Sequence, residues 1–200
     1  MTAEPVLPDL ARRALAVAPD LLGCILQVRG VAVRIVEVEA YEGADDPASH
    51  AWRGRTQRNA SMFAPGGRAY VYTLHGHACL NLVCGPADVA SAVLIRAGEL
   101  VGGIEQARER RPGVRDAWLA RGPGNLCRAL GVTRADDGAV LGASDVALLP
   151  GARPDAVASG VRVNVSRAWD RPWRFWDAHS ASVSAGKLHP AAWAGGQPGL

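Results

Sequence analysis

Hydrophobic and polar positions alternate most clearly over residues 31–41, Val-Ala-Val-Arg-Ile-Val-Glu-Val-Glu-Ala-Tyr. A period of two marks a strand with one face against a core. In strict alternation Val36, Val38 and Ala40 share one side, and Ile35 stands apart from them. Glu37, Glu39 and Tyr41 share the other side, so two carboxylates and a phenol project from a strand anchored by its apolar face. A strand from Cys24 to Val28 precedes it across Arg29-Gly30, a pair that suggests a tight hairpin. Residues 8–17 predict a short helix, with Asp9 as its N-cap and Pro19 close after its end. Residues 43–67 are rich in Gly, Pro, Asp, Asn and Arg and predict a long loop, a feature that is usually functional or disordered.

Further strands are expected at Ala69–Leu74, Leu80–Val83 and Ala92–Ala97, and residues 103–111 have helical composition. Gly122-Pro123-Gly124 leads into a helix from Asn125 to Leu130 that Gly131 closes. Ala139–Leu149 and Val161–Val165 complete the strands. The last ~12 residues are Gly/Pro-rich and are expected to fray. Strands do not alternate regularly with helices, which disfavours a doubly wound fold. The expected class is α+β: a single mixed domain over residues 1–200, its core at about 8–185, with a curved, largely antiparallel β-sheet flanked by helices.

Composition narrows the class. At 200 residues the chain can bury a real core, and no apolar run reaches the length of a membrane span. The start of the chain lacks a basic stretch followed by an apolar one, so a secretory signal is not expected. Cys24, Cys79, Cys84 and Cys127 are scattered without a Cys-x-x-Cys pair, which disfavours a disulfide framework and a zinc site. A reduced, cytoplasmic protein is the default. The net charge is only +3, but 21 of the 22 basic residues are arginine. Between Asp46 and Asp88 there is no acid, while Arg53, Arg55, Arg58 and Arg68 lie in that gap with His50, His75 and His77. A local basic field of this kind suits a polyanion, and arginine suits phosphate.

Glu37 and Glu39 could form an acid–base pair of glycosidase type, but such carboxyls flank a substrate from opposite sides. A single catalytic glutamate with its neighbour in an ion pair is geometrically simpler. Taken alone, the simplest reading is an exposed strand face with two solvated acids. Tyr70 and Tyr72 point the same way on their strand and, with Tyr41, could form a stacking slot for a planar base or simply fill the core. His75-x-His77 on a strand could chelate a metal, but a third ligand would have to be imported, and the glycine and turn residues around the histidines favour polar loop contacts. Gly122-Pro123-Gly124 offers backbone amides ahead of a helix, a possible phosphate seat or an ordinary cap. Trp169, Trp173 and Trp176 among arginines are read as packing rather than as a nucleic-acid surface.

In order, these blocks resemble the 3-methyladenine (alkyladenine) DNA glycosylase family. They are Arg34 to Tyr41; His50 with Arg53-Gly54-Arg55-Thr56-Gln57-Arg58-Asn59; Met62-Phe63; Tyr70-Val71-Tyr72; Cys79-Leu80-Asn81; Val93 to Ala97; Gly122 to Cys127; and Arg171 to Phe175. The resemblance implies a base-excision repair hydrolase that flips alkylated purines from double-stranded DNA and cleaves the N-glycosidic bond with water, without metal or cofactor. It implies Glu39 as the general base, with Arg96 holding the water and Glu39. It places Tyr41, His50, Tyr72 and Asn81 around the base, and His75, Gly76, Arg55, Arg58 and Asn59 on the DNA. It also implies a monomer of bacterial type, nucleoid-associated when on DNA. The lone Lys187 lies outside every motif, against a Schiff-base lyase. Two departures stand out: His75 replaces the family's usual wedge tyrosine in a hairpin one residue shorter, and Asn164 stands where glycine is expected. A damage-binding protein with weak turnover is the alternative reading.

Overall fold

The computed structural model describes residues 5–193; the expectation of a fraying C-terminus falls mainly outside them. An eight-stranded antiparallel sheet forms the centre of the molecule. Its strands are β1 (Ile25–Val28), β2 (Val31–Tyr41), β3 (Ala69–Leu74), β4 (His77–Val83), β5 (Ala92–Gly102), β6 (Val146–Leu149), β7 (Val157–Gly160) and β8 (Arg174–Asp177). The main path runs β3-β4-β5-β2-β1-β6. The long β2 takes β5 along one edge. Its other edge is shared by β1 near the start and β8 near the end, and β8 carries β7. Helices α1 (Ala14–Val17), α2 (Ile104–Arg110) and α3 (Pro123–Leu130) pack on this sheet, with α4 (Pro190–Trp193) at the end of the described chain. The class is thus α+β, a curled antiparallel sheet with short helices.

The alternation of β2 is broken in a useful way. The register against β5 slips between Ile35 and Glu37 and again between Glu37 and Val38. Val36 is the extra residue on β2, and Arg96 the extra one on β5. The slip changes the phase of the pleat, so Ile35, Val38 and Ala40 all join the main core while Glu37 and Glu39 stay together on the other face. Val36 is buried but lies outside that core cluster, which corrects the strict-alternation grouping. The other face of β2 is not solvated either: Glu37 and Glu39 are both 0% exposed.

Two hairpins turn in the way their residues demand. Arg29 and Gly30 have φ of 47° and 86°, and His75 and Gly76 have φ of 48° and 80°. Two consecutive positive φ values define a two-residue turn that matches strand twist, and glycine takes its second position without steric cost. The predicted helix at 8–17 is shorter than expected. Asp9 instead caps a turn, accepting from the Ala11 amide at 2.9 Å, and Pro19 sits inside a 3-10 turn over Ala18–Leu21. The long loop holds two 3-10 segments, Gly43–Asp45 and Gln57–Phe63. α3 begins with Pro123 at its first position, two residues before the expected Asn125, and ends on left-handed Gly131 as expected.

Two late strands differ from expectation. Only Val146–Leu149 of the 139–149 run is a strand. Val161–Val165 is irregular backbone, and the ladder is completed instead by β7 and β8. Asn164 and Ala168 in the irregular segment have φ of 58° and 44°, which a strand cannot contain.

Candidate active site

A cavity of about 750 Å³ opens beside the end of β2. Strand β2 brings Glu39 and Tyr41 to it, β3 brings Tyr72, β4 brings Asn81, and β5 brings Arg96. The long loop adds His50. All six side chains therefore converge, although the chain separates the first from the last by more than fifty positions. Glu37, on the same strand face as Glu39, does not line the cavity.

The two glutamates are held differently. Oε1 of Glu37 accepts from Arg96 Nε at 2.8 Å, Arg174 Nε at 2.7 Å and Ser184 Oγ at 3.0 Å. Its Oε2 accepts from the Ser184 amide at 2.6 Å. Burial alone would raise the Glu37 pKa, but the two guanidiniums and Ser184 outweigh it and hold the carboxyl below its usual range. Glu39 accepts the Val163 amide on Oε1 at 2.7 Å and the Tyr41 hydroxyl on Oε2 at 3.0 Å. Arg96 Nη1 lies 3.3 Å from the same Oε1. Desolvation opposes the charge of Arg96, but Glu39 and Glu37 overcome it and raise its pKa. Burial and the Glu39 charge push the Tyr41 phenol well up, so it stays protonated and donates to Glu39. The arrangement holds one carboxylate at the cavity wall and the other behind it.

The aromatic walls are packed edge to face. The His50 and Tyr72 rings lie 4.4 Å apart at 81°, and His50 Nδ1 is 3.0 Å from the Tyr70 hydroxyl. Partial burial and then the Arg58 charge lower the His50 pKa, so the ring is neutral at neutral pH. Burial, then Asp137, pushes the Tyr70 phenol up to about 12. Asn81 gives its amide to the Tyr70 carbonyl at 3.0 Å, which fixes its orientation in the wall.

The expected DNA-facing residues divide into two groups. His75 and Gly76 are exposed at the tip of the β3–β4 hairpin, and Leu74 beside them lines the cavity. Arg55 and Arg58 are exposed, with Arg55 3.2 Å from Asp88 and Arg58 donating to the Thr73 carbonyl at 3.2 Å. Asn59 is different: it is 2% exposed and its side chain is fully used within the loop. It accepts from the Thr56 amide at 2.6 Å and donates to the carbonyls of His50 and Gly54 at 3.0 and 3.1 Å. The structure thus gives Asn59 the shape of the loop that presents His50, rather than the surface.

Sequence reasoning passed over several supports. Arg162 is wholly buried against Asp46, with its guanidinium carbon 4.7 Å from the Tyr41 ring and its Nη1 2.9 Å from the Ala40 carbonyl. It ties the end of β2 to the segment that delivers the Val163 amide. A long-range amide and a buried pair between positions 46 and 162 leave no local pattern to read. Asn164, which follows Val163, adopts the left-handed conformation where a glycine is at home and asparagine is the best-tolerated side chain. That explains the glycine expected there. The main chain at Lys187 comes near, its carbonyl accepting from the Asn164 amide at 3.0 Å, but its side chain does not line the cavity.

With this geometry in view, the family model described as methylpurine-DNA glycosylase matches residues 9–181. The chain belongs to that family. The protein is a DNA glycosylase, a hydrolase of the N-glycosyl bond. Relatives named "Putative 3-methyladenine DNA glycosylase" bear it out. One from Frankia casuarinae is 51% identical, over 86% of this chain and 88% of the relative. One from Rhodococcus jostii is 50% identical over 95% and 85%, and one from Mycobacterium leprae is 48% identical over 88% and 86%. No described helix is long and apolar enough to cross a membrane. Among the described residues no group of three or more His, Cys, Asp or Glu side chains is placed to hold a metal ion.

Proposed function

We propose that the protein removes alkylated purines of the 3-methyladenine type from double-stranded DNA by base flipping and Glu39-assisted hydrolysis. The observation that carries this reading is that Glu39 faces the cavity between three aromatic rings and Arg96, while Glu37 is consumed behind it.

A base inside a duplex is out of reach and must be extruded at a cost of a few kcal/mol. In the flipped state the purine lies among Tyr41, Tyr72 and His50. A purine alkylated at N3 is positively charged while attached to the sugar, so the π-faces of the tyrosines attract it, and the neutral His50 adds no opposing charge. Loss of the base leaves oxocarbenium character at C1′. The Glu39 carboxylate stabilises that charge and takes a proton from water as the water oxygen bonds to C1′. The C1′–N bond breaks with its electron pair going to the purine, which leaves neutral. The Tyr41 hydroxyl, the Val163 amide and Arg96 hold the carboxylate, so little reorganisation is needed. Asn81 closes the wall where a guanine amino group would approach. His75 and Gly76 at the hairpin tip enter the vacated stack, and Arg55 and Arg58 meet the backbone. The absence of a lysine side chain from the cavity lining supports a monofunctional reaction with water as nucleophile.

The deciding experiment is release of free 3-methyladenine from methylated duplex DNA under single turnover. Stoichiometric appearance of abasic sites is expected. Tight lesion binding without abasic sites would replace this reading with that of a damage-binding protein. Acting on duplex DNA, the protein would work in the cytoplasm, on the nucleoid, as a monomer.

A further inference from the structure

We propose that Arg53 and Arg167, held by the Trp52 ring, form a phosphodiester subsite at the mouth of the cavity. The proposal rests on the glycosylase reading above and names how that site holds the strand. Trp52 follows His50 by two residues and is 36% exposed. Its ring lies 5.6 Å from the Arg53 guanidinium carbon and 4.7 Å from that of Arg167. All three residues line the same cavity as Glu39.

What sets these two arginines apart is their lack of other occupation. Among the described residues neither makes an ion pair or a side-chain hydrogen bond. Their neighbours are all committed: Arg55 to Asp88, Arg58 to Thr73, Arg162 to Asp46 and Arg171 to the Asp45 carbonyl. Stacking on an indole fixes the plane of a guanidinium and leaves its N–H edges free, the state in which arginine forms paired hydrogen bonds to a phosphate. A second observation concerns the chain that carries Arg167. The next residue, Ala168, has φ of 44°. Alanine has no local reason to take this conformation, which is strained and gathers at functional sites. The Ala168 carbonyl is held by Arg162 Nη2 at 3.3 Å. The buried Arg162–Asp46 pair thus sustains a strained backbone that turns Arg167 onto Trp52. Two loops from distant parts of the chain, 50–53 and 162–168, place paired positive charge at the rim, where a base entering the cavity leaves its phosphodiester behind.

The test is the salt dependence of binding to duplex DNA carrying a tetrahydrofuran abasic-site analogue. Each phosphate contact contributes about 0.9 to the slope of log affinity against log salt. Arg167→Gln and Arg53→Gln are each expected to lower the slope by about 0.9, and the double variant by about twice that. Trp52→Leu keeps both charges, and its expected result is a reduced slope because the forks lose their orientation. Arg108→Gln, far from the site and paired with Asp116, serves as the control with an unchanged slope. Thermal melting confirms that each variant is folded. Unchanged slopes in folded Arg53 and Arg167 variants would overturn the subsite, as would a Trp52→Leu slope equal to wild type. If the wild-type protein excises 3-methyladenine while the slopes stay fixed, only the subsite is lost. If wild type neither excises nor binds in a salt-dependent way, the glycosylase reading itself fails.

Discussion

Glu37 and Glu39 stand two residues apart on one buried strand face, yet Arg96 and Arg174 converge on Glu37 while only Glu39 opens to the cavity. Register slips at Val36 and Arg96 leave both glutamates on one face, and Arg174 and Ser184, which bond Glu37 alone, make the difference. The same arginine bonds Glu37 through Nε and approaches Glu39 through Nη1. The first glutamate thereby orients the partner of the second.

Replacing Glu39 by Gln preserves shape and one of the two acceptor oxygens but removes the proposed base. Lesion binding is expected to stay within a few-fold of wild type, while single-turnover excision falls by about 10²–10⁴-fold. Unchanged base release would remove Glu39 from the reaction.

Glu37→Gln should do the reverse. It leaves Arg96 and Arg174 facing a neutral amide, and breaking a buried pair from one side typically costs about 3–5 kcal/mol. A fall in urea midpoint should therefore exceed any fall in excision measured well below the melting temperature. The pH sign follows from the lowered Glu37 pKa. Its stabilising contribution is full above the ordinary glutamate range and is lost as pH falls through the depressed folded value. The acid limb of stability should accordingly flatten in the Gln variant.

The scaffold was legible where neighbours in sequence are neighbours in space. Strands β2 and β3, the Arg29-Gly30 turn and the Gly131 cap follow from local periodicity and turn chemistry. The convergence of Glu39, Tyr41, His50, Tyr72, Asn81 and Arg96 became legible only through family resemblance, since no spacing joins a β2 carboxylate to a β5 arginine. Val161–Val165 misled because its apolar alternation is that of a strand. Its real work is to pass Val163 and Asn164 over Glu39, and the positive φ at Asn164 takes it out of any ladder. The solvated-face reading of the two glutamates failed because Arg174 and Ser184, which bond Glu37, and Val163, which bonds Glu39, arrive from far along the chain.

Asn164 offers a check on that segment. Alanine at its φ of 58° should cost about 1–2 kcal/mol, whereas glycine accepts it freely. Asn164→Gly is therefore expected to keep stability and excision, and Asn164→Ala to lose both in part. Equal melting temperatures for the two variants would show that the backbone conformation is not what asparagine supplies.

His75 matters through its backbone as well as its ring. Histidine tolerates its φ of 48°, while a bulkier side chain there is strained. A tyrosine would add stacking area but strain a two-residue turn, so His75→Tyr is expected to bind lesion duplex no more tightly than wild type. His75→Asn keeps the turn and removes the ring, and should lose about 1–3 kcal/mol of lesion binding if the ring stacks in the duplex. Fluorescence anisotropy on one lesion duplex measures both, and a marked gain for tyrosine would mean that the hairpin tip can open to receive it.

His50 is expected to set the acid side of substrate choice. Burial and Arg58 depress its pKa, so the ring beside Tyr72 is neutral through the neutral range. Protonation at lower pH would place a positive charge next to a base that already carries one. Excision of a cationic lesion such as 3-methyladenine should then fall more steeply with acid than excision of neutral hypoxanthine, if both are accepted. Taking the ratio of the two rates removes effects of pH common to both lesions. The same depressed value fixes the sign for folding. Stability from a neutral His50 is present above the ordinary histidine value and declines as pH falls below it, because the unfolded chain takes the proton first. His50→Asn should flatten both the rate ratio and this step in stability. A ratio that stays constant with pH in the wild-type protein would show that His50 does not sense the charge of the base.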